Sequence, residues 1–267
     1  AIYIEGNTSW DVEAYIEKAA LKNGSTVITE NVPTGYLVEE NEDYYTVVTL
    51  DDILEANFAE NSWENIILAC QLNKIPNDWK VGDKKTMRIG DSEYNIAIIG
   101  KDHDTYTEGG KAPLTFQLTE RVYGSAAMNA TQTNATGWSA SQMRNVTMAE
   151  ILSVMPSEVS NAIKAVDKLT LKGDGSGLET TSDKLFLMSL IEVYGSTFYS
   201  NGYEEGSKYV YYSDIEKRKM NATWWLRGPG INNGKNNGIG FTQINMSGYM
   251  ANGDASTASG VVFGFCF

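Results

Sequence analysis

Hydrophobic and polar positions along the 267-residue chain change period several times. Over residues 9–21 (SWDVEAYIEKAAL), Val12, Tyr15, Ile16 and Ala19 recur at helical spacing behind a serine, and Asn23-Gly24 closes the run, which predicts a helix. TVITENV, GYLVEE and YYTVVTL follow as short β-rich runs, broken by Pro-Thr-Gly and Asn-Glu-Asp. Residues 51–61 read as a junction. Residues 62–72 (SWENIILACQL) return to the helical period, with Trp63, Ile66, Ile67 and Cys70 on one side. Beyond residue 83, two alternating runs, KTMRI and YNIAIIG, flank Gly90-Asp91-Ser92 and predict a hairpin; LTFQL at 114–118 predicts another strand.

In the second half, Thr147 and Glu150 stand at the spacing of a capping box, which predicts a helix starting at 147. Pro156-Ser157-Glu158 predicts a second helix, carrying Val159, Ile163 and Val166. KLTLK (168–172) and LFLMSLIEV (185–193) read as strands flanking the turn GDGSG, which lacks the lysine and following helix of a phosphate loop. WWLR and GVVFGF are further apolar runs near the end. Together these elements predict a mixed α+β fold with an antiparallel sheet, two or more helices and long loops. A small α+β module over 1–61 precedes a main domain over 62–267.

Composition adds exclusions. With 42% apolar and 21% charged residues the chain is that of a globular protein. No apolar run approaches the roughly 18 residues that span a bilayer. No basic-then-apolar segment opens the sequence, so a targeting signal is expected to lie outside it. A net charge of −13 disfavours nucleic acid and anionic membrane surfaces as partners. Lys217-Arg218-Lys219 follows Asp214 and Glu216 and reads as a solvated face. Cys70 and Cys266 sit in apolar neighbourhoods and read as buried thiols, although spacing does not decide against a disulfide.

Candidate chemistry is sparse. His103, the one histidine, lies between Asp102 and Asp104; it reads as a turn residue bonded to a strand end, with an Asp-His base as the alternative, and no GxSxG motif accompanies it. Zinc is poorly served by one His and two distant Cys. Asp174 and Asp254 are the residues that would hold calcium, yet neither lies in an EF-hand pattern, and no cofactor is expected. Residues 228–260 stand apart, with eight glycines, six asparagines and only Lys235 and Asp254 charged. Aromatic side chains among Asn, Ser and Gly match the palette of a binding surface. A set of turns and edge strands closing a sheet fits the same composition.

GWSASQMR (137–144), Met155-Pro156, SDKLFLMSLIEV (182–193), WWLRGP (224–229) and the closing GVVFGF form an ordered series. It resembles a domain of gut bacteria and their phages with the pattern W-S-x-S-x-M-R, S-D-K-L-F-L-L-S, W-W-L-R-S-P and G-V-R-P-A-F. That family is similar to the C-type-lectin and formylglycine-generating-enzyme folds, and some members are variable proteins of diversity-generating retroelements. The series covers about 62–267. Gly228 stands where serine is usual, and Val262 and Phe263 where arginine and proline are usual. The catalytic cysteine pair of formylglycine-generating enzymes has no counterpart, so the resemblance implies a binding scaffold and not that enzyme.

The resemblance further implies that Trp138, Met143, Trp224, Trp225 and Leu226 belong to the core, with Arg144 and Arg227 as ion-pair or carbonyl partners. It places a variable region over 228–260, mutated at template adenines. The ligand-contacting residues expected there are Asn232, Asn233, Asn236, Asn237, Phe241, Asn245, Ser247, Tyr249, Asn252, Asp254, Ser256 and Thr257. Lys235, Gln243, Met246 and Met250 fall outside the products of mutated AA-pyrimidine codons and are expected to be framework or to come from other codons. The function this implies is non-enzymatic recognition of a protein or glycan receptor, on a phage tail or bacterial surface. A carbohydrate-active enzyme using Asp102 or His103, or a purely structural surface module, are the alternatives.

Overall fold

A computed structural model of the chain describes residues 36–40, 45–49, 53–196, 198, 200 and 202–267. The helix predicted over 9–21 and the run at 26–32 lie outside the described residues. Two compact units divide the chain, Ala1–Pro76 and Asn77–Phe267. In the first, β1 (Tyr36–Glu40) and β2 (Tyr45–Thr49) pair antiparallel, and α1 (Trp63–Gln71) follows a 3₁₀ turn at Phe58–Glu60. Ser62 caps α1 by accepting the Asn65 N–H at 3.1 Å, and Trp63, Ile66, Ile67 and Cys70 are buried at the predicted spacing. Just before the cap, the Asn61 amide bonds back to Glu55 and Asn57. Within α1 the Asn65 amide donates to Ile53 O at 3.2 Å, and the two compact units divide after Pro76.

The second unit contains β3 (Lys84–Ile89), β4 (Ser92–Lys101), β5 (Leu114–Thr119) and β13 (Gly264–Cys266) in one antiparallel sheet of order β13-β5-β4-β3. The predicted hairpin is present, with Ile89 paired to Ser92 across Gly90-Asp91. Ile96, Ile98, Phe116, Leu118 and Phe265 are fully buried in this sheet. A second sheet has the order β11-β10-β9-β12-β6, made of β6 (Ser125–Ala126), β9 (Trp224–Asn232), β10 (Lys235–Ile244), β11 (Met250–Asp254) and β12 (Ser259–Gly260). Its pairings are antiparallel except for one parallel contact, Gly260 to Trp224. A separate hairpin joins β7 (Val166–Leu171) and β8 (Leu178–Asp183) through the GDGSG turn. Helices and antiparallel sheets make the chain α+β, as expected.

Two local expectations are corrected. Thr147 does not start a helix: its backbone is already helical (φ −61°, ψ −41°) and its hydroxyl caps nothing. A π-helical turn over Met143–Thr147 runs into α2 (Met148–Val154), and Ser141, whose Oγ accepts the Arg144 N–H at 3.2 Å, sets its start. By residue 147 the N–H groups a cap would serve already have partners within the helix. LFLMSLIEV is likewise not one strand. Residues 185–188 are buried outside any strand, with Phe186 in an isolated bridge to Gly264, and Ser189 then opens α4 (Leu190–Tyr194) with a complete capping box. Its hydroxyl accepts the Glu192 N–H at 3.1 Å while Glu192 accepts the Ser189 N–H at 2.8 Å. Burial on every side removed the periodicity that separates strand from helix, which hid this start. Between them lies α3 (Ser157–Ala162), which begins after Pro156 as predicted but ends before Ile163 and Val166.

Ser189→Ala is expected to lower stability by about 1–2 kcal/mol, since the cap and an Oγ bond to Glu205 O are both lost. Thr147→Ala should stay within about 0.5 kcal/mol of the parent. Paired urea melts of the two variants check this, and equal losses would contradict the assignment.

Candidate functional site

Four ionised side chains lie in line inside the second unit. Lys168 of β7 bridges Asp104 at 2.8 Å and Glu192 of α4 at 2.6 Å, and Arg227 of β9 binds both oxygens of Glu192. All four are buried. The Asp104 carboxylate also accepts from Thr115 of β5 (2.5 Å) and Tyr209 (2.7 Å). The Arg227 fork reaches Thr170 Oγ1 and the carbonyls of Leu169 and Leu187 at 2.8–2.9 Å. Burial alone would raise Asp104 and Glu192, but the neighbouring Lys168 and Arg227 outweigh it and hold both below the ordinary carboxylate range. Two anions and two cations therefore balance.

Glu205 is the exception. It is fully buried; Oε1 accepts the Leu171 N–H at 2.9 Å, and Oε2 has no hydrogen-bond partner. Burial pushes its pKa up, against the pull of Arg227. A Cβ on Gly228 would stand 2.8 Å from both Glu205 oxygens. Any side chain at that position would thus collide with this carboxyl group, which accounts for the glycine.

The Asn- and Gly-rich stretch is ordered as the meander β9–β10–β11. Its asparagines largely serve the backbone. Asn252 both donates to Ile231 O (2.8 Å) and accepts from Ile231 N–H (2.9 Å). Between Asn236 and Phe241 the β10 register shifts, and Asn237 Oδ1 collects the Ile239 and Gly240 N–H groups at 3.0 Å each. The Asn134 amide donates to Asn236, Asn237 and Gly240 O, and Asn236 donates to Gly173 O. Asn245 holds the β10–β11 turn by accepting from Ser247 and Tyr249 N–H. Asp254 accepts from Gln132 at 2.7 Å. The glycines allow close approach: a Cβ on Gly253 would lie 2.6 Å from the Trp225 ring, and one on Gly240 would lie 1.9 Å from Gly253 O.

The expected ligand residues therefore separate. Phe241 is fully buried, so its ring cannot face a ligand; the whole run from Gly240 to Ile244 is buried with it. Asn236, Asn237, Asn245, Asn252 and Asp254 have side chains committed to the protein itself. Asn232, Asn233, Ser247, Tyr249, Ser256 and Thr257 are exposed, as is Asn252 despite its bonds to Ile231. Of the residues expected as framework, Gln243 is buried and Met250 half-buried, whereas Lys235 is exposed and Met246 is 59% exposed. Tyr249 is equally exposed at 59%. Sequence reasoning missed Tyr194 and Arg218 beside this turn. The Tyr194 hydroxyl donates to Gly248 O at 2.9 Å, the Arg218 guanidinium lies 4.1 Å from the Tyr194 ring centroid, and Phe198 meets that ring edge-on at 5.5 Å. No spacing signal links 194, 218 and 249.

Residues 114–264 match the family model described as a domain of unknown function (DUF6273), more than half of the chain. The chain belongs to the DUF6273 family. Comparison with curated proteins and with solved structures finds no match. Lys168, Glu192, Glu205, Arg227 and the whole meander lie inside the DUF6273 region, whereas Asp104 lies before it. Also inside it, Trp138 Nε1 (2.8 Å) and Arg144 Nε (2.6 Å) both donate to Asp183. A shallow cleft of about 230 Å³ opens beside Arg144, Met148, Leu152 and Lys184, but the Arg144 fork is already taken by Asp183, Ser139 O and Ser182 O.

His103 does not form the Asp-His pair. Its ring stacks on Tyr209 with centroids 3.9 Å apart, its Nε2 lies 3.5 Å from Ser207 Oγ, and the Asp104 oxygens face Lys168, Thr115 and Tyr209. Burial pushes the imidazole below its usual range. Asp174 accepts the Ser176 N–H within its turn, and among the described residues no group of three or more His, Cys, Asp or Glu is placed to hold a metal. Cys70 and Cys266 are both buried thiols.

Lys168→Met would leave Asp104 and Glu192 sharing one cation, a loss of about 3–5 kcal/mol expected in denaturant melts. Glu205→Gln tests the orphan carboxyl by its pH dependence. A folded pKa above the unfolded 4.5 means that the stability Glu205 contributes at low pH is lost as pH rises through the folded value. Glutamine does not ionise, so the melting temperature of the variant should gain on the parent as pH rises above about 4.5. A difference independent of pH would contradict a raised carboxyl.

Proposed function

We propose that this DUF6273 protein is a non-enzymatic binding protein that recognises a protein or glycan receptor, on a C-type-lectin-like scaffold carried by a phage virion or bacterial surface. The observation that carries this reading is the β10–β11 turn. Met246 and Tyr249 stand out from it, each 59% exposed, while Asn245 closes its backbone. Large apolar side chains at the tip of a fixed turn are poorly explained by folding and well suited to contact area. The ordered motif series supports the scaffold, because its two arginines, Arg144 and Arg227, are both held in ion pairs. Diversification by a retroelement would act on exposed positions such as Asn232, Asn233, Ser247 and Tyr249, and would spare Asn252 and Phe241.

The test compares two sets of substitutions in binding of fluorescent full-length chain to a panel of gut-bacterial cells. Asn232→Ala, Met246→Ser and Tyr249→Ser together should abolish binding with stability kept within about 1.5 kcal/mol. Asn252→Ala should instead lower stability by about 1–3 kcal/mol, because both Ile231 backbone groups lose their partner. Unchanged cell binding by the triple variant would sink the proposal, as would a large fall in its stability.

A further inference from the structure

The exposed turn has a cationic neighbour that makes no ion pair among the described residues. Arg218 closes the 3₁₀ turn Ile215–Arg218 and is half-buried against the Tyr194 ring. One Nη2 hydrogen reaches Tyr212 O at 3.4 Å, and the buried Nε meets no acceptor. The acids beside it are engaged elsewhere: Asp214 accepts the Glu216 N–H, and Glu216 pairs with Lys219. On a chain of net charge −13, this is a guanidinium held in place by stacking and left without a carboxylate of its own among the described residues. Gly248 seats the β10–β11 turn directly on it, since a Cβ there would lie 3.0 Å from Ile215 and 3.5 Å from the Arg218 Cβ. Tyr249 is the next residue along that turn, and its side chain is exposed.

We propose that Arg218 and Tyr249 form a subsite for a carboxylated sugar, with the carboxylate on the guanidinium fork and a pyranose face on the phenol ring. This rests on the binding function proposed above and names its ligand class. The planar fork matches a carboxylate in two parallel hydrogen bonds. An exposed aromatic ring offers an apolar, polarisable face to the C–H side of a sugar, and Ser247 adds a hydroxyl at the rim. A peptide is the poorer fit, because extended peptides are held through main-chain hydrogen bonds. The turn has little to give them: the N–H groups of Ser247, Gly248 and Tyr249 all bond to Asn245, and Gly248 O accepts from Tyr194. It presents side chains only.

Titration of the full-length chain by NMR with free glucuronic acid and N-acetylneuraminic acid, against glucose and a Glu-rich peptide, tests the subsite. At least one sugar acid should bind, glucose should bind at least tenfold more weakly, and Arg218→Gln and Tyr249→Ala should each cost tenfold or more. Tyr249 is exposed, so its variant carries the test even where Arg218→Gln lowers the melting temperature. Equal binding of glucose, unchanged binding by Tyr249→Ala, or binding of the peptide in place of the sugars would overturn the subsite. Loss of cell binding in the triple surface variant with neither sugar acid bound would overturn it while leaving the binding function standing. No cell binding by the parent chain would remove both.

Discussion

The second unit is organised around the buried run Asp104–Lys168–Glu192–Arg227. Each of these residues comes from a different segment, and β5 joins through Thr115. Desolvating four charges is costly, and the cost is offset only when every donor and acceptor is matched, so the arrangement tolerates few alternatives. That requirement fixes the position of β9 against β7 and α4. Because β9 is the first strand of the meander, the surface built on β10 and β11 inherits its position from this core.

The meander shows how a sequence rich in Asn and Gly becomes rigid. Asparagine carries a donor and an acceptor at one amide, the same pair that a peptide unit carries, so it can replace a missing strand partner or close a turn. Asn252 does the first for Ile231, and Asn245 does the second for the β10–β11 turn. Glycine allows the strands to approach where any Cβ would overlap a neighbour. The result concentrates exposed side chains at turn tips, where a fixed backbone lowers the entropy lost on binding.

Sequence reading recovered much of the α+β framework. Alternation identified the β3–β4 hairpin, and helical spacing identified α1, because β3 and α1 each have a buried and an exposed face and so carry a period; β5 alternates in residue type, Leu114, Phe116 and Leu118 against Thr115 and Gln117, although its whole length is buried. It failed on Thr147 and on residues 185–193. In the first case an equivalent hydroxyl, Ser141, had already started the helix; in the second, burial on all sides erased the period. The candidate site was only partly legible. The resemblance pointed to Tyr249 and Ser247, which are exposed, but neither it nor composition distinguishes an asparagine free in solvent from one bonded to the protein, and Asn236, Asn237, Asn245 and Asn252 all carry such bonds.

Residue types and their local periods determined the fold class, the acidic character of the chain and the buried face of α1. Tertiary structure alone decided which side chains of the meander are available. Availability depends on partners distant in sequence: Asn134 reaches Asn236, Gln132 reaches Asp254, and Tyr194 and Arg218 meet the turn that carries Tyr249. Hydrogen bonds between such remote residues leave no periodic trace in the chain, because their geometry exists only once the strands are in register.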